Sequence, residues 1–146
     1  MPFSEGFEPD SETEICWTIE DLSPEAAPNN LSWTPIAGNP FEGTHSAYLW
    51  TTGNLGKNDD YMISPRLNLS GNDRLKFAVR SFPNTTELNS MAVLMSTTTS
   101  SPDDFTVTLS ETTEYPNDWT EVNIDLSAYS GPAYIAFHVP PTESEG

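Results

Sequence analysis

The stretch from Trp119 to Val139, WTEVNIDLSAYSGPAYIAFHV, constrains the fold more than any other part of the chain. Its apolar residues fall at every second position. Val122, Ile124 and Leu126 alternate with Glu121, Asn123 and Asp125, and Ala133, Ile135, Phe137 and Val139 alternate with Tyr134, Ala136 and His138. Successive side chains leave a strand on opposite sides, so this period belongs to strands with one buried face. Ser127 to Pro132 carries Ser, Gly and Pro, which break pairing and predict a turn. Two strands joined by a turn, in an antiparallel sheet, are expected here.

The same period recurs upstream. Leu75, Phe77 and Val79 point one way from residues 75–82, with Lys76, Ala78 and Arg80 on the other side. Residues 90–97 put Met91, Val93 and Met95 on one face and Ala92 and Leu94 on the other, and residues 105–112 alternate as well. Shorter strands are predicted near Phe3–Phe7, over residues 15–22 and over 45–52. Residues 31–43 read as an irregular or edge segment. Residues 61–69 read as a strand interrupted by Pro65, which points to an edge, a bulge or a crossing between sheets. About nine strands separated by turn residues give the pattern of an all-β sandwich or jelly roll.

Composition narrows the role. The chain has 146 residues, enough for one domain with a core. Five Lys and Arg against 22 Asp and Glu give a net charge of −17, so nucleic acid is not an expected partner. No apolar run approaches the ~18 residues of a membrane span, and no signal peptide opens the sequence. The single cysteine, Cys16, excludes an internal disulfide and a cysteine-rich zinc site; its apolar setting, ICWTI, predicts a small core residue. A nucleophile elbow, a phosphate loop and a zinc helix are all absent from the sequence, and a non-catalytic module is expected.

Several short stretches together resemble the cleaved-adhesin and choice-of-anchor J domains of secreted bacterial proteins, relatives of the eukaryotic MAM domain. They are GFE (6–8), CWT (16–18), HSAYL (45–49), DDYMISPRLNL (59–69), LKF (75–77), VLMSTT (93–98), DFT (104–106) and the 119–139 stretch itself. The resemblance implies an antiparallel jelly-roll β-sandwich over residues 1–139, with 140–146 a polar tail or linker. It also implies a secreted or surface location among other domains of a larger parent protein. Such domains usually close with one more strand that carries an acidic pair. Here Val139 is followed by PPTESEG, so the final strand is expected to be missing from this chain, leaving a sheet edge for the tail or a neighbouring molecule to cover.

The resemblance implies a structural Ca²⁺ held by Glu8 and backbone at His45 or Ser46, with the third contribution from the closing strand. Asp10 is near enough in sequence to add an oxygen. Polysaccharide is the ligand expected first, because sugar rings stack on exposed aromatic faces. Trp33, Trp50, Tyr115 and Trp119 lie at or near loops, and Trp33 and Trp50 are the chosen candidates. The alternatives are a protein–protein adhesion module that uses its loops or an open sheet edge, and a structural spacer. Coplanar exposed aromatics would favour sugar; an unpaired strand edge would favour protein.

Overall fold

The alternating stretches become strands because each has one apolar face to bury, and Pro, Gly, Asn and Ser interrupt them where the chain must turn. The computed structural model describes residues 3–22, 33–38, 40–49, 59–81 and 89–140. Within them the strands are β1 (Thr18–Asp21), β2 (Thr34–Ala37), β3 (His45–Tyr48), β4 (Asp60–Ile63), β5 (Leu67–Ser70), β6 (Arg74–Val79), β7 (Asn89–Ser96), β8 (Val107–Tyr115), β9 (Thr120–Asp125) and β10 (Ser130–Val139).

One large antiparallel sheet runs in the order β1-β4-β10-β7-β8, and β5 pairs with the start of β10. β10 is the longest strand and the centre. Ser130–Ala133 face Ser70–Leu67, while Ala136–Val139 face Ile63–Asp60 on one side and Tyr134–His138 face Ser96–Ala92 on the other. Two further pairs, β2–β3 and β6–β9, form no ladder with this sheet or with each other among the described residues. Their apolar side chains pack on the inner face of the large sheet: Leu75, Phe77, Val79, Val122, Ile124 and Ala47 against Met62, Met91, Val93, Ile135 and Phe137. The architecture is an all-β, jelly-roll sandwich. The outer face of the large sheet carries a second cluster, in which Phe105 covers Ile63 and Ala136.

The two strands of the 119–139 stretch do not pair with one another. β9 pairs with β6 and β10 with β4, β5 and β7, so they stand in opposite layers. Alternation shows that one face is buried, and two strands facing each other across a core satisfy it as well as two neighbours do. The turn is also shorter than expected. Tyr129 N–H donates to the Leu126 carbonyl (2.9 Å), and Gly131 and Pro132 already belong to β10, opposite Leu69 and Asn68.

Pro65 interrupts the chain as expected. β4 and β5 flank it, and both pair with β10. At the break the buried Ser64 exchanges two bonds with Ile135: Ser64 N–H donates to the Ile135 carbonyl (2.8 Å) and Ile135 N–H to Ser64 Oγ (3.0 Å). A side-chain oxygen thus replaces a ladder acceptor where the strand departs.

Two local expectations fail. Residues 3–7 form no strand, because Phe7 has φ of 56° and donates its N–H to Glu5 Oε1 (2.6 Å), which curls the segment. Cys16 is exposed rather than buried. Glu14–Cys16 form a single 3₁₀ turn that leaves Ile15 88% exposed and lets Trp17 take the apolar place against Phe7 and Phe137. The tail from residue 141 onward lies outside the described residues.

Ile63 is fully buried at the contact of β4 with β10. Ile63→Ala removes methylenes from a site with little freedom to collapse, and should lower unfolding stability by about 3 kcal/mol in urea titration.

Candidate ligand groove and the Glu8 clamp

The sequence FEGTHS turns the chain into β3, and Gly43 makes that turn possible. Its φ is +69°, and a Cβ there would lie 1.9 Å from Glu8 Oε1. With no side chain at Gly43, the Glu8 carboxylate closes on the start of β3. Glu8 Oε1 accepts from Thr44 N–H (2.7 Å) and His45 N–H (3.1 Å), Oε2 accepts from Thr44 Oγ1 (2.5 Å), and His45 Nδ1 lies 3.6 Å from Oε2. The Thr44 hydroxyl and the two backbone N–H groups hold the carboxyl down at about 2, and His45 adds to them. Upstream, desolvation raises the pKa of Glu5, but the donors Thr13, Phe7, Ser11 and Gly6 outweigh it and leave it lowered.

The resemblance placed Glu8 beside the backbone of His45, and the structure brings the two together. The groups turned toward Glu8 are N–H and O–H donors, not the carbonyls that a Ca²⁺ ion needs. The Thr44 carbonyl accepts from Gly38 N–H (3.1 Å). Asp10 lies exposed in a turn. No group of three or more His, Cys, Asp or Glu side chains is placed to hold a metal among the described residues. One carboxylate with its oxygens already engaged does not fit an ion that takes roughly six to eight oxygens.

The sugar candidates are dispersed. Trp50 lies outside the described residues. Trp33 is half-buried against the core, and among the described residues its Nε1, like that of Trp17, is enclosed with no hydrogen-bond partner. Both indoles line a small cavity of about 60 Å³ with Phe7, Ala47 and Met62. Tyr115 is a core residue at 6% exposure. Trp119 is half-buried; the Arg80 guanidinium lies 4.6 Å from its ring centroid, and Phe41 meets it edge-on at 6.0 Å.

A larger concavity opens beside the cavity of Trp17 and Trp33. It is a groove of about 790 Å³ between the two strand pairs of the smaller layer. β3 lines one side and β6 the other, and Met91, Ile135, Phe137 and Val139 of the large sheet lie at its floor. Trp119, Arg80 and Phe41 also line it. Leu75, Phe77 and Val79 face the core from β6 yet remain only half-buried, because the layer is open beside them. Glu8 fixes the start of β3, and so one wall of this groove.

A two-layer antiparallel sandwich with a groove in its smaller layer defines a class of β-sandwich modules. Residues 28–143 match the Cleaved Adhesin Domain family, and the chain belongs to that family. Its fold is similar to that of the K1 cleaved adhesin domain of Lys-gingipain from Porphyromonas gingivalis W83, with a TM-score of 0.68 at 22% identity over 94% of this chain and 88% of that one. The K2 domain of Lys-gingipain gives a TM-score of 0.68 at 22% identity, covering 94% and 89%. The K3 domain gives 0.63 at 20%, covering 84% and 81%. No curated protein matches the chain by sequence.

Gly43→Ala forces a side chain into both the positive φ and the Glu8 carboxylate, and should cost on the order of 2 kcal/mol in chemical unfolding. The Thr44 and His45 donors hold the folded-state Glu8 carboxyl down at about 2, below its ordinary value of 4.5. Its stabilising contribution is therefore complete above the unfolded pKa and is lost as pH falls toward 2. Glu8→Gln should be less stable at neutral pH and show a shallower loss between pH 5 and 2 than the parent chain, read from urea midpoints across that range. Millimolar Ca²⁺ should leave the thermal midpoint within about a degree of that in chelator; a rise of several degrees would mean that Glu8 exchanges its donors for an ion.

Proposed function

We propose that this chain is a non-catalytic adhesion module of a larger secreted or surface protein, and that its ligand is an extracellular protein bound in the groove between β3 and β6. One observation carries this reading: the groove floor is made of core side chains, and each wall is a strand with no ladder partner on that side among the described residues. Apolar surface left open to water favours association, and an unpaired strand edge offers a row of peptide groups to a protein partner. The family name, and the adhesin domains whose fold is similar, support the adhesive role.

Polysaccharide is the second reading, favoured by the Trp119 ring with Arg80 and Phe41 beside it at the groove. An aromatic face next to a guanidinium suits a sugar ring and its hydroxyls. Among the described residues no platform of several coplanar rings makes sugar the first choice.

Immobilised extracellular glycoproteins, probed by surface plasmon resonance before and after enzymatic deglycosylation, separate the two. Binding that survives deglycosylation and weakens at least tenfold in Phe77→Ala supports the protein reading. Binding lost on deglycosylation and in Trp119→Ala transfers the function to sugar. No binding to any of them rejects adhesion by the isolated domain.

A further inference from the structure

We propose that the solvent face of the β6–β9 pair binds an anionic polysaccharide, one that carries sulfates or uronic carboxylates, along a row formed by Arg74, Lys76 and Arg80. The row is on the opposite side of β6 from the core, so the proposal stands whatever occupies the groove.

The strand sets the row. Leu75, Phe77 and Val79 turn inward to the core, which leaves Arg74, Lys76, Ala78 and Arg80 on the outward side. At ~3.4 Å per residue, Arg74 and Lys76 stand ~7 Å apart along the strand, and the whole row runs on the order of 20 Å. The small Ala78 is the one residue between Lys76 and Arg80 on this side, so no bulky side chain interrupts it. The chain has only five Lys and Arg, yet three of them fall within these seven positions. Such clustering of cations in a short segment is the footprint of a polyanion-binding patch. Trp119, just ahead of β9, carries the Arg80 guanidinium on its ring at 4.6 Å and so holds one end of the row in place.

The acids on this face compete weakly for the row. β9 puts Asp125 opposite Arg74, Asn123 opposite Lys76 and Glu121 opposite Ala78. Asp125 Oδ1 accepts from Ser127 N–H (2.8 Å), and the Ser127 donors, ahead of Arg74, hold its carboxyl below the usual range. Lys76 Nζ lies 3.6 Å from Glu121 with the two side chains 61% and 48% exposed, a contact worth little and readily exchanged for another anion. Elsewhere acids far outnumber cations, but at physiological salt charges beyond about 8 Å are largely screened. This face is therefore where a polyanion can approach an acidic domain.

The form of the face selects the polymer. β6 and β9 bond to one another from Arg74–Asp125 to Val79–Thr120, so their outward side offers side chains and no open ladder for a peptide backbone. A DNA duplex is a broad rod with charge on both strands, and it would bring its phosphates against the surrounding carboxylates as well as the row. A single polysaccharide chain with anions along its length can lie on the row alone.

The test is titration of the intact chain with a heparin decasaccharide by calorimetry, with neutral dextran, polyglutamate and duplex DNA as competitors for the same face. Heparin should bind in about 50 mM salt, and its log affinity should fall against log salt with a slope of about 2 to 3, as for three neutralised contacts. Lys76→Glu should weaken binding at least tenfold and Arg74→Ala several-fold. Arg66→Ala, outside the row, should stay within twofold of the parent. Backbone amide shifts on binding should concentrate in 74–80 and 119–125. No binding at low salt, binding unchanged in Lys76→Glu, an equal loss in Arg66→Ala, or equal affinity for dextran would each overturn the proposal. Equal affinity for polyglutamate or DNA would overturn its choice of polysaccharide. Glycoprotein binding in the groove is judged separately: its absence rejects adhesion there and leaves this face standing if heparin binds as expected.

Discussion

Every layer of this domain depends on the pairing of β10. It is bonded along one flank to β7 and along the other to β4, with β5 taking over the latter beyond the break at Pro65. Its inner face supplies Ile135, Phe137 and Val139 to the main core, and its outer face supplies Ala136 to the second cluster under Phe105. A slip of one residue in this strand would turn both sets to the wrong side at once. Ser64 holds the register where the neighbouring strand bends away, through one backbone bond and one side-chain bond to Ile135.

The two layers are finished to different degrees. In the large sheet the inner residues are almost wholly enclosed, with Val93 and Met95 at 0% exposure. In the smaller layer the corresponding side chains of β6 and β9 stay half-open. The N-terminal segment compensates at one end. Phe7 packs on Trp17, and Glu8 ties that segment to the head of β3, so β2–β3 is held to the rest of the molecule by side-chain contacts and by the clamp. The clamp therefore helps to fix the geometry of the open layer through the hydrogen bonds that Glu8 accepts.

Much of the fold was legible. Period-two alternation placed β6, β7, β8, β9 and β10, and a single proline placed the division of β4 from β5. Alternation could not say that β9 and β10 belong to opposite layers, because it reports burial and not partnership. The apolar setting of Cys16 misled for a similar reason: one 3₁₀ turn gives the core position to Trp17 and turns Ile15 outward. Of the site, the meeting of Glu8 with His45 was legible through family resemblance. That donors rather than carbonyls face the carboxylate was not, since it depends on peptide orientation. The glycine of FEGTH was the available signal for the close approach at Gly43. No single residue signalled the groove, because it is set by how β3 and β6 stand over the large sheet.

The position of β10 has a consequence for how the molecule is made. It is the last strand among those described, yet β4, β5 and β7 all pair with it, and Met62 meets Phe137 across half of the chain. During synthesis or export from the N-terminus, those three strands emerge first and have no centre to assemble on. β1–β4 and β7–β8 can pair as they emerge, but each pair keeps one edge open to other chains until residues 130–139 arrive. An acidic surface with a net charge of −17 is well suited to that interval, since nascent copies of like charge repel one another before any of them can fold.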